Sequence, residues 1–119
     1  MTLQQVLRAI RSLEIQGAEQ VATAGLLALA GVVEKSKAET RAELLKEAER
    51  ARRQLVHTRP TEPEMRNYLT AVITFMQKYK GKEIKQATLE RMRELLEQKK
   101  ERHDAIVRNG ATMLKKNME

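Results

Sequence analysis

Apolar residues return at intervals of three and four along five stretches of this 119-residue chain, the spacing of a single helix face. Thr2 and Gln5 form a capping-box pair, and Leu3, Val6, Leu7, Ile10 and Leu13 follow at that spacing. A first helix is therefore expected to open at Thr2 and end near Glu14. Gly17 interrupts the pattern. From about Ala18 to Glu34 the residues are small and apolar nearly all round, which predicts the most enclosed helix of the fold. Ala22, Gly25 and Leu29 share one strip of it. A glycine inside a helix costs roughly 1 kcal/mol against alanine, so Gly25 points to the close approach of a neighbouring helix.

Two overlapping capping boxes come next, Ser36 with Glu39 and Thr40 with Glu43. Either is able to start a third helix with Leu44, Leu45, Ala48, Ala51 and Leu55 inward and Lys46, Arg50 and Arg53 outward. Pro60 ends it, because the residue before a proline is pushed out of the helical region. A fourth helix is expected from Thr61, whose hydroxyl caps the free amides, with Glu64 completing the box and Pro63 in the first turn. Its buried stripe is Met65, Leu69, Val72, Ile73 and Met76. Gly81 in "KYKGK" closes it as the glycine just past a helix end. From Glu83 onward there is no breaker until Gly110. That predicts a fifth helix of nearly thirty residues with a stripe through Ile84, Met92, Leu95, Leu96, His103, Ile106 and Val107. The stripe thins to charge over residues 97–102. A helix this long is expected to outreach its own bundle and to meet a partner chain, a further domain or solvent. The pattern as a whole predicts an all-α fold: one domain over residues 1–119, a five-helix bundle with a long C-terminal helix.

Composition narrows the possibilities. Two Tyr, one Phe and no Trp, with five Gly and two Pro, suit an aliphatic helical core and leave too few turns for a sandwich. The absence of cysteine excludes disulfides, thiolate metal sites and a cysteine nucleophile. The longest apolar run, "VATAGLLALAGVV" at 21–33, is too short to cross a bilayer, so a cytoplasmic protein with no membrane partner is expected. The net charge is +7. Residues 1–40 balance to zero, and the whole excess lies beyond them. It suits RNA, a phosphorylated ligand or an acidic protein, or else a solvated surface of mixed sign.

Motifs for catalysis are missing from the sequence. It carries neither a nucleophile elbow nor a phosphate-binding glycine loop. His57 and His103 are far apart and lack a carboxylate at ligand spacing, so no catalytic residue, metal or cofactor is expected. Capping accounts for Glu64, and Glu43, Glu47 and Glu94 read as surface charges. A basic helical protein is able to coat a phosphate backbone, yet aromatics for stacking are few and acids are scattered among the bases. Two places suit an anion. In "IQGAEQ" (15–20) the amides of Gly17 and Ala18 stand at a helix start. In "TRPT" (58–61) the guanidinium of Arg59 offers a second clamp. The plainer readings are a turn at Gly17 and a surface salt bridge at Arg59.

"IRSLEIQGAEQVATAGLLAL" and "HTRPTEPEMRNYL" resemble the N-terminal helical region of one family. It contains the translation initiation factor 2B regulatory subunits, the ribose-1,5-bisphosphate isomerases and the methylthioribose-1-phosphate isomerases. Gly17, Ala18, Thr58, Arg59, Pro60, Thr61 and Asn67 fit the isomerase pattern, and "IVRNGATML" (106–114) resembles the helix leading into the family's large domain. Gln16 stands where isomerases usually place arginine, and Glu19 replaces a small residue, changes that weaken phosphate binding at that helix start. The cysteine and aspartate that isomerise substrate in the family's Rossmann-like domain have no counterpart here, so this reads as the helical domain alone. The resemblance implies a non-catalytic interaction domain that associates with itself or with an initiation factor 2-type subunit. The alternatives are the lid of a sugar-phosphate isomerase, with Gly17, Ala18 and Arg59 as remnants of a phosphate clamp, and a basic RNA-binding protein.

Overall fold

A computed structural model describes residues 2–15 and 17–99, and within them the chain is all-helical. The helices are α1 (Leu3–Arg11), α2 (Ala18–Lys35), α3 (Arg41–Thr58), α4 (Pro63–Lys78) and α5, described over 84–99. The expected run of the fifth helix toward Gly110, with His103, Ile106 and Val107, lies outside the described residues, and so does Gln16.

α1 opens as its sequence dictates: the Gln5 amide donates to Thr2 Oγ1 at 3.2 Å and the Thr2 amide to Gln5 Oε1 at 2.8 Å. It closes earlier than the apolar spacing predicts. Ser12 caps it, and Leu13 takes a left-handed conformation with φ of 66°. The Leu13 amide donates to the Ile10 carbonyl at 3.2 Å and the Glu14 amide to the Ala9 carbonyl at 3.0 Å. This is the pair of bonds that usually ends a helix on glycine. Leu13 is thereby carried off the stripe and stays 54% exposed, while Val6, Leu7 and Ile10 are buried.

α2 is the central element, packed against α1, α3 and α4. Gly25 has the predicted role. A Cβ there would stand 2.8 Å from Met65 Sδ and 2.9 Å from Met65 Cγ, so the absence of a side chain lets α4 approach. Of the two candidate caps for α3, Thr40 is used, accepting from the Glu43 amide at 3.1 Å. The Glu43 carboxylate takes the Glu39 amide, one residue ahead of the cap, at 3.1 Å. Ser36 instead ends α2, where its Oγ accepts from the Ala38 amide and donates to Glu47 Oε2 at 2.6 Å.

The predicted cap at Thr61 does not form. The Glu62 amide donates to the Arg59 carbonyl at 3.0 Å, closing a turn with Pro60 in its second position, where a fixed φ is favourable. Thr61 belongs to that turn. Glu62 takes the cap position, with Pro63 in the first helical turn. The stripe of α4 is as expected, with Met65, Leu69, Val72, Ile73 and Met76 all buried.

Gly81 also differs from its expected role, since no glycine among the described residues has a positive φ. Tyr79 caps α4, and the hydroxyl end of its ring reaches Gly81, with Cζ 2.6 Å from where a Cβ would be. Arg41 reaches across from α3 to donate to the carbonyls of Met76 (2.9 Å) and Gln77 (2.6 Å), meeting two of the acceptors that a helix end leaves open. α5 adds Ile84, Met92 and Leu95 to the common core. Thr88 and Lys99 fall on the same stripe and are buried with them.

Candidate functional site

The two segments singled out as anion sites come together at the end of the bundle where α2 and α4 begin. Gly17 is the N-cap of α2, with φ of −65° and ψ of 141° and no side-chain cap, and Ala18 is the first helical residue. Neither conformation nor space demands glycine at 17: its φ is negative, and a Cβ would make only ordinary contact with Gln20 at 3.7 Å. What the residue provides is a helix start whose amides no side chain at the cap position covers.

Arg59 ends α3 as its C-cap and sits just before the Pro60 turn. Its Nη2 donates to the carbonyl of Ile15 at 3.2 Å. The guanidinium thus lies against the α1–α2 connection two residues ahead of Gly17, having crossed forty-four positions of sequence. Its partner is a backbone oxygen where a surface salt bridge was the plainer expectation. One arm of the fork therefore ties α3 to the start of α2.

A third element completes this end of the molecule. Lys99 is only 4% exposed, and its Nζ lies 3.0 Å from Glu19 Oε1 and 3.7 Å from Glu64 Oε1. The approach is an ion-pair distance without hydrogen-bond geometry. Glu19 is in the first turn of α2 and Glu64 in the first turn of α4, where each carboxylate is favoured by the positive end of its helix dipole. The burial of an ammonium is expensive unless opposite charge is close by, and here two carboxylates supply it. Among the described residues, Arg59, Lys99, Glu19 and Glu64 thus lie at this end of the bundle and tie four helices together. Chemically it can hold charge in place or take up a small anion at Arg59 and the α2 amides, in competition with the carboxylates already present.

Sequence reasoning named Gly17, Ala18, Glu19, Arg59 and Glu64 but missed Lys99, which it assigned to the charged stretch at 97–102. The signal was available. Lys99 falls four residues after Leu95, on the stripe of Ile84, Thr88 and Met92, so its stem had to be buried if the helix kept its face. His57, by contrast, is exposed on α3. No group of three or more metal-ligating side chains occurs among the described residues.

Comparison with known proteins gives one clear result. Neither a curated protein nor a solved structure matches the chain. The model of the family described as the initiation factor 2 subunit family matches residues 14–119. That match takes in the α1–α2 connection, the Pro60 turn and the α5 residue that joins them, the three parts from which this end of the bundle is built. The chain belongs to the initiation factor 2 subunit family.

Proposed function

We propose that this chain is a non-catalytic helical interaction domain of the initiation factor 2B type. It would act in translation initiation or its regulation, through subunit association or contact with an initiation factor 2-type subunit. The observation that carries this reading is an open trough of about 740 Å³ between α2 and α5, with Ile15, Ala24, Leu27 and Leu96 in its wall. Leu27 is 55% exposed in the middle of the otherwise most buried helix. Aliphatic surface open to solvent and rimmed by polar groups is one mark of a protein contact. Leu13, held exposed in a left-handed conformation, is a second aliphatic side chain given to solvent. The charges at the end of the bundle support the same reading, since Lys99 is matched by the chain's own carboxylates.

Size-exclusion chromatography with light scattering tests it. The expected result is self-association, or a complex with an initiation factor 2-type subunit, that Leu27→Glu abolishes without loss of helicity. A strict monomer that binds neither itself nor such a subunit would count against the proposal.

One observation favours the second reading, a lid over a sugar-phosphate site: Arg59 stands beside the start of α2, where no cap side chain covers the amides. Arg59→Ala is then expected to weaken sugar-phosphate binding once a separately supplied large domain is present. A reconstituted pair with no measurable isomerase activity would end that reading.

A further inference from the structure

The chain has three aromatic side chains, and two of them meet at the far end of α4. Phe75 and Tyr79 stack with ring centroids 5.6 Å apart and planes 28° from parallel. Both rings are half-buried and line an open groove of about 700 Å³ between the end of α4 and α5. Lys78, Lys80 and Arg91 also line this groove, and among the described residues no carboxylate does. Arg91 shares its charge with Glu94 at 3.0 Å. Lys78 and Lys80 are exposed and belong to none of the ion pairs found among the described residues. Nor are they needed to satisfy the end of α4, because Arg41 already donates to the Met76 and Gln77 carbonyls there. Two cations without structural duty among the described residues therefore flank an aromatic pair in a trough to which no described residue brings a negative charge.

We propose that this groove binds single-stranded nucleic acid. Lys78 and Lys80 neutralise consecutive phosphates, and a base lies against the Phe75–Tyr79 pair. Asn67 and Thr70, in the same wall, offer an amide and a hydroxyl to the base edge or sugar. The strand is single because a ring seated in a groove reaches only a base that has left its own stack. An acidic peptide would satisfy the lysines but would leave the rings without a planar partner. The aromatic pair and the two lysines are at the opposite end of α4 from Glu64 and Arg59, and the site stands independently of the protein contact proposed for the α2–α5 trough.

The test is fluorescence anisotropy with a labelled oligouridylate of about ten nucleotides, the order of one single-strand site. Binding is expected to weaken with salt at a log–log slope of roughly −1.4, the release expected for two phosphates. The pair Lys78→Glu and Lys80→Glu is expected to lower affinity by about tenfold or more. Tyr79→Leu should lower it by about fivefold or more, the loss of one stacked base. Lys46→Glu with Arg50→Glu, exposed on α3 and causing the same change in net charge, should cost less than about threefold. Equal losses from the two charge reversals would reduce the effect to overall basicity and overturn the proposal. So would unchanged affinity for Tyr79→Leu with its helicity intact, displacement by poly-glutamate as efficient as by unlabelled strand, or no saturable binding at low salt.

Discussion

Two glycines in the same helix should respond to alanine with opposite signs. Gly25 and Gly31 are both within α2, and replacing either removes the same backbone penalty, about 1 kcal/mol in favour of the folded state. At Gly31 no described residue lies within 4 Å of the new Cβ. Gly31→Ala is therefore expected to stabilise by about 1 kcal/mol, which raises Tm by roughly 5 °C in a domain of this size. At Gly25 the Cβ would stand 2.8 Å from Met65 Sδ and 2.9 Å from its Cγ, whereas unstrained carbon contacts begin near ~3.5 Å. Met65 is wholly buried, with Leu69 also near the new methyl, so the thioether cannot swing into solvent. Overpacking of this kind costs about 1–3 kcal/mol. Set against the backbone gain, Gly25→Ala should lose about 1 kcal/mol net. Urea unfolding followed by far-ultraviolet circular dichroism measures both variants. A cycle with Met65→Ala isolates the contact: in that background Gly25→Ala should become neutral or stabilising, a coupling of at least about 1 kcal/mol. If Gly25→Ala stabilises as much as Gly31→Ala, the close approach of α2 and α4 is not what keeps glycine at 25, and the reasoning fails.

Thr88 is fully buried with no hydrogen-bond partner for its hydroxyl among the described residues, so Thr88→Val should stabilise by about 1 kcal/mol in the same unfolding assay. Leu13 holds φ of 66°, a conformation that costs a side-chain-bearing residue roughly 1–2 kcal/mol. Leu13→Gly should therefore raise Tm while weakening the proposed partner complex in light scattering. Replacing the buried cation, Lys99→Met, removes its ion pairs with two part-exposed carboxylates and is expected to stay within about 1 kcal/mol of the parent. Glu19→Ala with Glu64→Ala strands the ammonium and should cost roughly 3 kcal/mol or more. On α3, the carboxyl of Glu49 is held below its usual range, chiefly by the hydrogen bond from Arg52 and then by the charges of Arg52 and Arg53. A depressed carboxyl stabilises the fold above its unfolded pKa, and the benefit disappears as pH falls through the lower folded value. Glu49→Gln should thus cost up to about 1 kcal/mol at neutral pH and nothing at strongly acidic pH, as read from Tm against pH.

The reading of the candidate site shows what spacing can and cannot say. Gly17, Ala18 and Arg59 were visible because a bare helix start and an arginine beside a proline turn each leave a local mark. Their proximity was not visible. It depends on the path of α3 returning Arg59 to the Ile15 carbonyl, a contact that no window of neighbouring residues contains. Lys99 was lost for the opposite reason: its charge outweighed its position on the stripe, although a lysine stem buries readily when carboxylates meet its tip. The misplaced caps have a common cause as well. Thr61 and Gly81 have the residue types of helix ends, but a proline turn claims the first and the hydroxyl end of Tyr79 takes the space of a side chain at the second.

Periodicity and capping residues by themselves determined the helices among the described residues, the core residues of α4 and the roles of Thr2 and Gly25, because each is set by contacts within a few turns or by the lack of a side chain. Tertiary structure alone decided that Glu19, Glu64 and Lys99 share one charge cluster, that Leu27 faces an open trough, and that two aromatic rings and two unpaired lysines line a single groove. Those facts depend on how helices far apart in sequence are laid side by side. The apolar stripe says which face each helix buries; only the packed bundle says which polar groups meet at its ends.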